Sequence, residues 1–144
     1  MVSPLGGVYQ AGTLSGNPMA VTAGLAQMQV LLGQNQWALL EEKGKWLENA
    51  IKEAARSSGL KIQINRVGSM LTVFFSEVPV VDTATALASD AKQFSKFFHG
   101  MLKRGIYLPP SQYEAAFLST EHSESVLEKI ASAAKEVFQE MSRS

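Results

Sequence analysis

Residues 61 to 75 read KIQINRVGSMLTVFF, and this stretch decides the fold. In its first half isoleucines alternate with polar side chains, which is the period of a half-buried strand. Its second half (MLTVFF) is more continuously apolar, so a more buried strand is expected there. Gly68 and the serine after it can turn the chain between the two. The stretch therefore predicts an antiparallel pair of strands over 61–67 and 70–75.

Helical patterns flank the strand pair on both sides, with apolar residues recurring every three or four positions. Before it, residues 36–58 predict a helix with a buried stripe of Trp37, Leu40, Leu47, Ile51 and Ala54. After it, a helix opens at Ser89 or Asp90, stops at Gly105 and has a core face of Phe94, Phe97, Phe98, Met101 and Leu102. A last helix is capped by Ser123, with a stripe of Leu127, Ile130, Ala134, Val137 and Met141.

Shorter segments complete the predicted order. Residues 77–88 carry no strong pattern and are expected to form a connection. A short strand is expected over 106–108, where Pro109 and Pro110 cut it off, and another over 115–119. With a first helix that begins at Asn17-Pro18 and ends at Gly33, the order of elements predicts the α+β class: a small antiparallel sheet packed with helices on one face.

Composition excludes several kinds of function. Thirteen basic and thirteen acidic residues cancel, so an extended basic surface for nucleic acid or anionic lipid is not expected. There is no cysteine, which removes disulfides, thiolate nucleophiles and cysteine-zinc sites. No apolar run approaches the roughly 20 residues of a membrane span, and the start MVSPLGG lacks the pattern of a signal peptide. We therefore expect a soluble, cytoplasmic protein.

Common catalytic motifs are missing from the sequence. The serine of Gly12-Thr13-Leu14-Ser15-Gly16 stands one position late for a G-x-S-x-G nucleophile turn, and no Gly-Lys-Ser/Thr of a phosphate-binding P-loop occurs. His99 and His122 are far apart and form no H-E-x-x-H pair, so a metal site is not expected. We interpret His99 as flanking a helix and His122 as part of a turn.

The run 12–16 (GTLSG) is a candidate binding loop, because it directly precedes the helix start at Asn17. A helix N-terminus presents N–H groups and a partial positive charge to an anion. Glycine allows close approach of the backbone, and the Thr13 hydroxyl can add a donor. Phosphate would suit such a loop. The alternative is that Thr13, Ser15 and Asn17 only cap the helix, and spacing alone favours this second interpretation.

Three longer runs carry a family resemblance. They are VYQAGTLSGNPMAVTAG (8–24), GSMLTVFFSE (68–77) and DAKQFSKFFHGMLKRGIYLPPSQYEAAFLSTEHSE (90–124). In this order they resemble the C-terminal region of the glutamate-1-semialdehyde 2,1-aminomutases, a family within the class III aminotransferases that use pyridoxal phosphate. The segment around Tyr113-Glu114-Ala115 distinguishes that family from ordinary class III aminotransferases. Leu108-Pro109-Pro110 departs conservatively from the family, which often has alanine before its Pro-Ser.

The resemblance implies a fold, a cofactor and two sites. Residues 1–16 would be the tail end of a large domain, 17–33 an inter-domain helix, and 34–144 the C-terminal small domain of a fold-type I pyridoxal-phosphate enzyme. Gly12 and Thr13 match the loop that reaches the cofactor phosphate of the other subunit in a homodimer. Glu114 matches a glutamate that faces the active site, although an exposed loop carboxylate is the alternative. Ser111 and Gln112 belong to the same motif and receive no role.

The resemblance also implies that essential groups lie outside this sequence. In the family a lysine binds pyridoxal phosphate covalently and an aspartate pairs with its ring nitrogen, and both would precede residue 1. Of the aspartates here, Asp82 lies in the expected connection and Asp90 at a helix start, and none of the nine lysines stands in the family's lysine motif. We therefore interpret the chain as the C-terminal part of the enzyme with Met1 as a truncation point. As such it is expected to be inactive alone.

Two other functions stay open at this point. The chain could be part of a different class III aminotransferase, acting on an amine and a keto acid, or a stand-alone interaction module. For a separated portion, residues 1–16 are expected to be poorly ordered. The first helix, with Met19, Val21 and Leu25, is expected to pair with another copy.

Overall fold

The strand pair predicted from residues 61–75 is confirmed. In the computed structural model, which describes residues 3, 5–33 and 35–143, strand β1 spans Gln63–Val67 and strand β2 spans Met70–Phe74. They pair antiparallel, with Ile64 opposite Val73. The turn places Gly68 at a φ of 58°, in the left-handed region that glycine adopts readily.

A third strand and the helices complete the predicted α+β class. Strand β3, Ala116–Phe117, pairs antiparallel with β2 and gives the sheet order β1-β2-β3. The helices are α1 (Pro18–Gly33), α2 (Gln36–Ser57), α3 (Thr83–Leu87), α4 (Ala91–Lys103) and α5 (Glu124–Met141). None of these helices, within the described ranges, is long and apolar enough to cross a membrane.

The chain divides into two units, Met1–Trp37 and Ala38–Ser144. The first unit contains α1, which has no buried residue. Its described residues are exposed apart from Gly6, Leu31 and Gln36, which are half-buried. The expected disorder of residues 1–16 and the assignment of 1–16, 17–33 and 34–144 to domains stay predictions.

The core of the second unit lies between one face of the sheet and helices α2, α4 and α5. Its centre is a group of three rings, in which Phe97 stacks on Phe138 at 5.0 Å and Phe75 meets both edge-on. Ile64, Leu71 and Val73 extend this core onto the sheet, as do helix residues that include Leu47, Ile51, Met101, Leu127 and Val137. Aromatic rings in these geometries add to the free energy gained by burial alone.

A glycine allows α2 to lie directly on the strand turn. A Cβ added to Gly44 would collide with the carbonyl oxygen of Gly68. Arg66 strengthens this contact, because its Nη1 donates to the same carbonyl at 2.9 Å and its Nε bonds Glu48 of α2 at 2.7 Å. The Arg66 side chain is only 14% exposed, and Glu41 binds its remaining nitrogen. Because the two carboxylates bond this guanidinium, the pKa of Arg66 is raised.

Helices α4 and α5 meet in a similar way. A Cβ on Gly100 would lie within 3 Å of both methyl groups of Val137, so the crossing is close. Arg104 then bonds Glu136 at 2.9 Å and Glu140 at 2.6 Å across the same pair of helices. Both glutamates are more than half exposed, so these ion pairs contribute little compared with the buried rings.

Several expectations for individual segments are wrong. Residues 77–88 contain the short helix α3, whose N-cap Asp82 and Thr85 form a reciprocal capping box. No strand forms over 106–108, because the Ile106 N–H donates to the Met101 carbonyl and closes the end of α4. Trp37 and Leu102 were predicted to lie on buried helix faces, but they are 51% and 44% exposed and lie outside the core. The remaining helices begin and end within a residue or two of the predicted positions.

Candidate functional site

The loop 12–17 is a compact turn held by its own backbone. The Ser15 N–H donates to the Gly12 carbonyl at 3.1 Å, and the Asn17 N–H donates to the Leu14 carbonyl at 3.0 Å. Gly16 has a φ of 89°, which side-chain-bearing residues rarely adopt. The turn thus fixes the backbone directly before α1 while every residue of the loop stays exposed.

Asn17 caps the first turn of α1, as its sequence position predicts. Its Oδ1 accepts hydrogen bonds from the N–H groups of Met19 and Ala20, both at 3.1 Å. Those two amides are the donors that an anion at the helix end would otherwise use. The capping interpretation is therefore correct for Asn17. As a result, fewer free N–H groups remain for an anion at the start of α1 than the sequence suggested.

Thr13 and Ser15 are loop residues with unused hydrogen-bonding capacity, since neither hydroxyl has a partner among the described residues. Within the same part of the chain, the backbone N–H of Thr13 has no partner either. A Cβ on Gly12 would lie 2.7 Å from the Ser15 hydroxyl, so a side chain at position 12 would require the Ser15 side chain to rotate. A phosphate group fits the one hydroxyl and one amide of Thr13, although Gly12 and Thr13 supply no cation.

Glu114 lies in the second unit, at the margin of a cavity. Its N–H donates to the Ser111 carbonyl at 3.1 Å, and its carbonyl accepts from the Thr72 hydroxyl at 3.3 Å. The backbone is thereby tied to strand β2, whereas the residue is exposed. Both open interpretations of Glu114 are therefore compatible with its position, which is an exposed loop that borders a cavity.

The cavity beside Glu114 has a volume of about 580 Å³. Most of its wall is apolar and comes from the core, including Leu47, Leu71, Phe97, Met101 and Ile130. The side chains with polar groups on the wall are Thr72, Tyr107, Ser111, Glu114 and His122. A largely apolar cavity with a few polar side chains is the usual form of a small-molecule site.

His122 is a cavity residue that the sequence interpretation placed only in a turn. The turn is present, because the Ser119 N–H donates to His122 Nδ1 at 2.8 Å. Since Nδ1 accepts, the proton of the neutral ring lies on Nε2, which leaves that atom as a donor. The sequence indicated the turn, but nothing in it indicated the neighbourhood of Thr72 and Glu114.

Gln112 has a buried side chain without hydrogen bonds. The residue is 3% exposed, and neither Nε2 nor Oε1 has a partner among the described groups. A buried amide without partners costs free energy, which makes Gln112 an unusual neighbour for Ser111 and Glu114. The sequence analysis had assigned no role to Gln112.

The two aspartates singled out in the sequence are helix caps. Asp82 accepts from the Thr85 N–H at 2.8 Å, and Asp90 accepts from the N–H groups of Lys92 and Gln93. These hydrogen bonds hold the pKa of each carboxyl below its usual value. No group of three or more histidine, aspartate or glutamate residues comes together as a metal site within the described ranges.

Comparison with known proteins identifies the relatives of the chain. It is 56% identical over 137 residues to the glutamate-1-semialdehyde 2,1-aminomutase of Sulfurihydrogenibium azorense, covering 95% of this chain and 32% of the relative. The enzyme of the same name from Thermus thermophilus is 55% identical over 130 residues, covering 89% and 30%. The chain is homologous to the C-terminal third of glutamate-1-semialdehyde 2,1-aminomutases. It thus spans about a third of the length of these curated relatives, and no protein-family model matches it.

Solved structures agree with this relationship at the level of the fold. An omega-transaminase from Sphaerobacter thermophilus superposes with a TM-score of 0.78 at 22% identity, covering 99% of this chain and 33% of that one. A β-phenylalanine aminotransferase from Variovorax paradoxus gives 0.79 at 22% identity, covering 93% and 31%. The aminomutase-like chain therefore shares its fold with part of the transaminases, and the resemblance drawn from its motifs is confirmed.

Proposed function

We propose that this chain is the C-terminal part of a glutamate-1-semialdehyde 2,1-aminomutase. The whole enzyme would convert glutamate 1-semialdehyde into 5-aminolevulinate for tetrapyrrole synthesis, using pyridoxal phosphate. The observation that carries the proposal is the 56% identity over 137 residues to a relative of that name. The exposed positions of Thr13 and Glu114 support it, because both must be reachable by small molecules.

In this proposal Gly12 and Thr13 hold the phosphate of the cofactor. Pyridoxal phosphate, when bound, supplies an electron sink for carbon–nitrogen bond rearrangement. The role of the loop is positional: the Thr13 hydroxyl and N–H bond the phosphate, and glycine at position 12 keeps the approach open. With no cation in the loop, these bonds set the orientation of the phosphate rather than neutralise its charge.

Glu114 would serve the substrate side of the site. A carboxylate can accept hydrogen bonds from an ammonium group or hold a proton, and its anchored backbone keeps it at the margin of the cavity. His122 Nε2 offers a donor on the same wall.

We also propose that the whole enzyme is a cytoplasmic homodimer in which loop 12–16 serves the partner's cofactor. The chain by itself would neither keep pyridoxal phosphate nor turn over substrate, because the family's lysine and aspartate have no counterpart in its sequence. Absorbance of bound cofactor that survives dialysis of the chain alone would contradict this second statement.

A chimera tests the function directly. This chain would replace the matched C-terminal third of the Sulfurihydrogenibium azorense aminomutase, and 5-aminolevulinate formation would be measured without any added amino acceptor. Activity near that of the parent enzyme is expected. Activity only with an added keto acid would instead indicate an aminotransferase. A folded chimera with neither activity would refute the proposal and leave a separate interaction module as the explanation.

Substitutions in the chimera then test the two sites. Thr13→Val removes one donor to a charged group, worth about 1.5–3 kcal/mol, so cofactor affinity should fall by about 10- to 150-fold. Thr13→Ser keeps the hydroxyl and is the matched control. Glu114→Gln should lower turnover, whereas Glu121→Gln, also exposed, should not. Equal effects at 114 and 121 would make Glu114 an ordinary surface carboxylate.

A further inference from the structure

Gln112 lies at the corner of a turn on the protein surface. The Glu114 N–H donates to the Ser111 carbonyl at 3.1 Å, and the Tyr113 N–H donates to the Ser111 hydroxyl at 3.2 Å, so Gln112 and Tyr113 are the central residues of this turn. Side chains at such corners normally face water. Tyr113 does so, with 54% of its surface exposed, and Glu114 is exposed as well. Gln112 is 3% exposed, so its side chain points inward.

The inward position leaves the amide of Gln112 unpaired. Neither Nε2 nor Oε1 has a hydrogen-bond partner among the described residues. Because the turn is at the surface, an outward rotation would place the same amide in water, where all its hydrogen bonds are made. Buried polar groups in proteins are almost always paired, and the exceptions concentrate where a group has a functional partner. The amide of Gln112 therefore indicates a partner outside the resting chain.

The turn is part of the wall of the cavity of about 580 Å³ beside Glu114. Residues 105–109 and Ser111 precede Gln112 on this wall, and residues 114–118 follow it. Several rotatable bonds separate the Gln112 amide from its backbone, and no hydrogen bond holds it where it lies. A change of rotamer can therefore bring the amide from behind the wall into the cavity, while the backbone of the turn stays in place.

The charge of the wall determines which ligand group the amide suits. Among the described side chains that line the cavity, Glu114 is the one carboxylate, and there is no lysine or arginine. An anionic ligand group is disfavoured beside Glu114, whereas an ammonium group is favoured there. A neutral oxygen then needs neutral donors, which the wall supplies from the Tyr107 and Ser111 hydroxyls and His122 Nε2. The amide of Gln112 adds two N–H groups to this set.

We propose that Gln112 is a substrate-binding residue, whose Nε2 donates to a neutral carbonyl oxygen of the substrate in this cavity. The inference rests on the proposed aminomutase function. Glutamate 1-semialdehyde carries its aldehyde next to its amino group, so Gln112 bonds the carbonyl oxygen while Glu114 bonds the neighbouring ammonium group. The cost of keeping the amide unpaired is relieved when the carbonyl oxygen arrives, which favours ligands that have one.

The test compares two ligands that differ in the carbonyl group. 5-Aminolevulinate has an ammonium group beside a ketone, whereas 5-aminopentanoate has the same chain length and the same charges without the ketone. Each is measured as a competitive inhibitor of the chimera, with and without Gln112→Met, which keeps the size of the side chain and removes the amide. Gln139→Met, at an exposed glutamine of α5, is the matched control.

Gln112→Met should raise the inhibition constant of 5-aminolevulinate by about 3- to 10-fold, because one neutral hydrogen bond is lost. The inhibition constant of 5-aminopentanoate should not change, and Gln139→Met should change neither. The KM for glutamate 1-semialdehyde should rise together with the constant for 5-aminolevulinate. A residue that only packs would affect both ligands alike, so equal changes, or no change with either ligand, would overturn the proposal.

A measurement on the chain itself does not depend on turnover. In nuclear magnetic resonance spectra of the isotope-labelled chain, the side-chain amide signals of Gln112 are identified by their loss in Gln112→Met. Adding 5-aminolevulinate should move these signals and the backbone N–H signal of Glu114, whereas 5-aminopentanoate should move only the latter.

This measurement separates the proposal from the proposed function. Movement of the Gln112 signals with 5-aminolevulinate alone supports the role of Gln112 even if the chimera is inactive. Signals that stay fixed with both ligands refute that role even if the chimera is active. A long-lived contact between the amide and a water molecule, together with a lower unfolding temperature of Gln112→Met, would also refute it, because the amide would then already be satisfied.

Discussion

The contact between α2 and the strand turn makes Gly44→Ala a sharp test of the fold. In an exposed helix this change would stabilise, because alanine is favoured over glycine by about 0.8–1 kcal/mol. Here the added methyl group meets the Gly68 carbonyl oxygen. That oxygen belongs to the backbone of a tight turn and is bonded to Arg66, so it cannot move aside as the end of a side chain could.

Overpacking of this kind costs about 1–3 kcal/mol, and because the clash is with rigid backbone we expect about 2–3 kcal/mol, which outweighs the helix propensity. We expect a net loss of about 1–2 kcal/mol, equivalent to a fall of about 4–10 °C in Tm for a unit of this size. The measurement is thermal unfolding followed by circular dichroism at 222 nm and by near-ultraviolet signal. Gly24→Ala is the control, since a Cβ there has no neighbour within 4 Å. A Gly44→Ala variant that melts at or above the parent temperature would refute the close approach of helix and turn.

Three further outcomes are expected for the isolated chain. Gln112→Met should raise the free energy of unfolding by about 1–3 kcal/mol in urea titrations, because it removes a buried amide without partners, and a loss of stability would reveal a hidden partner. Asp90 has a lowered pKa in the folded state, so its stabilisation is complete above its ordinary pKa of 3.8 and is lost as the pH falls through the lowered value. Asp90→Asn keeps a helix cap but cannot titrate, so the free energy of unfolding should fall less steeply with decreasing pH in this acid range. Phe138→Ala, at a side chain with 0% exposure, should cost about 3–5 kcal/mol, and a loss below about 1 kcal/mol would contradict its central position in the core.

The parts of the fold that were predictable are those in which local pattern and burial agree. The alternation before Gly68 and the caps Asn17, Asp90 and Ser123 lead directly to elements that the structure contains. The segments that were predicted wrongly depend on local hydrogen bonds, which the spacing of apolar residues does not reveal. Helix α3 is only one turn long and depends on a reciprocal bond between Asp82 and Thr85. Residues 106–108 are apolar enough for a strand, but the first of their amides is used to end α4.

The candidate site was predictable only in part. The position of loop 12–16 before a helix made Thr13 a candidate, but spacing alone favoured a cap, and only the resemblance gave cofactor and active-site roles to Thr13 and Glu114. The cavity beside Glu114 combines residues from β2, the 111–114 loop and the turn at His122. Thr72 and Glu114, which share a hydrogen bond, are 42 positions apart in the sequence. Contacts of that range follow from the register of the sheet, which no local pattern specifies.

The half-exposed indole of Trp37 has a practical consequence. The chain has two tryptophans, both on α2, and Trp37 closes the first unit whereas Trp46 (45% exposed) lies in the second. Each ring therefore emits from a partly aqueous setting, and a variant that retains only one of them becomes a fluorescent reporter for its own unit. A blue shift confined to Trp37 on mixing with a binding partner would give the fraction bound without any label.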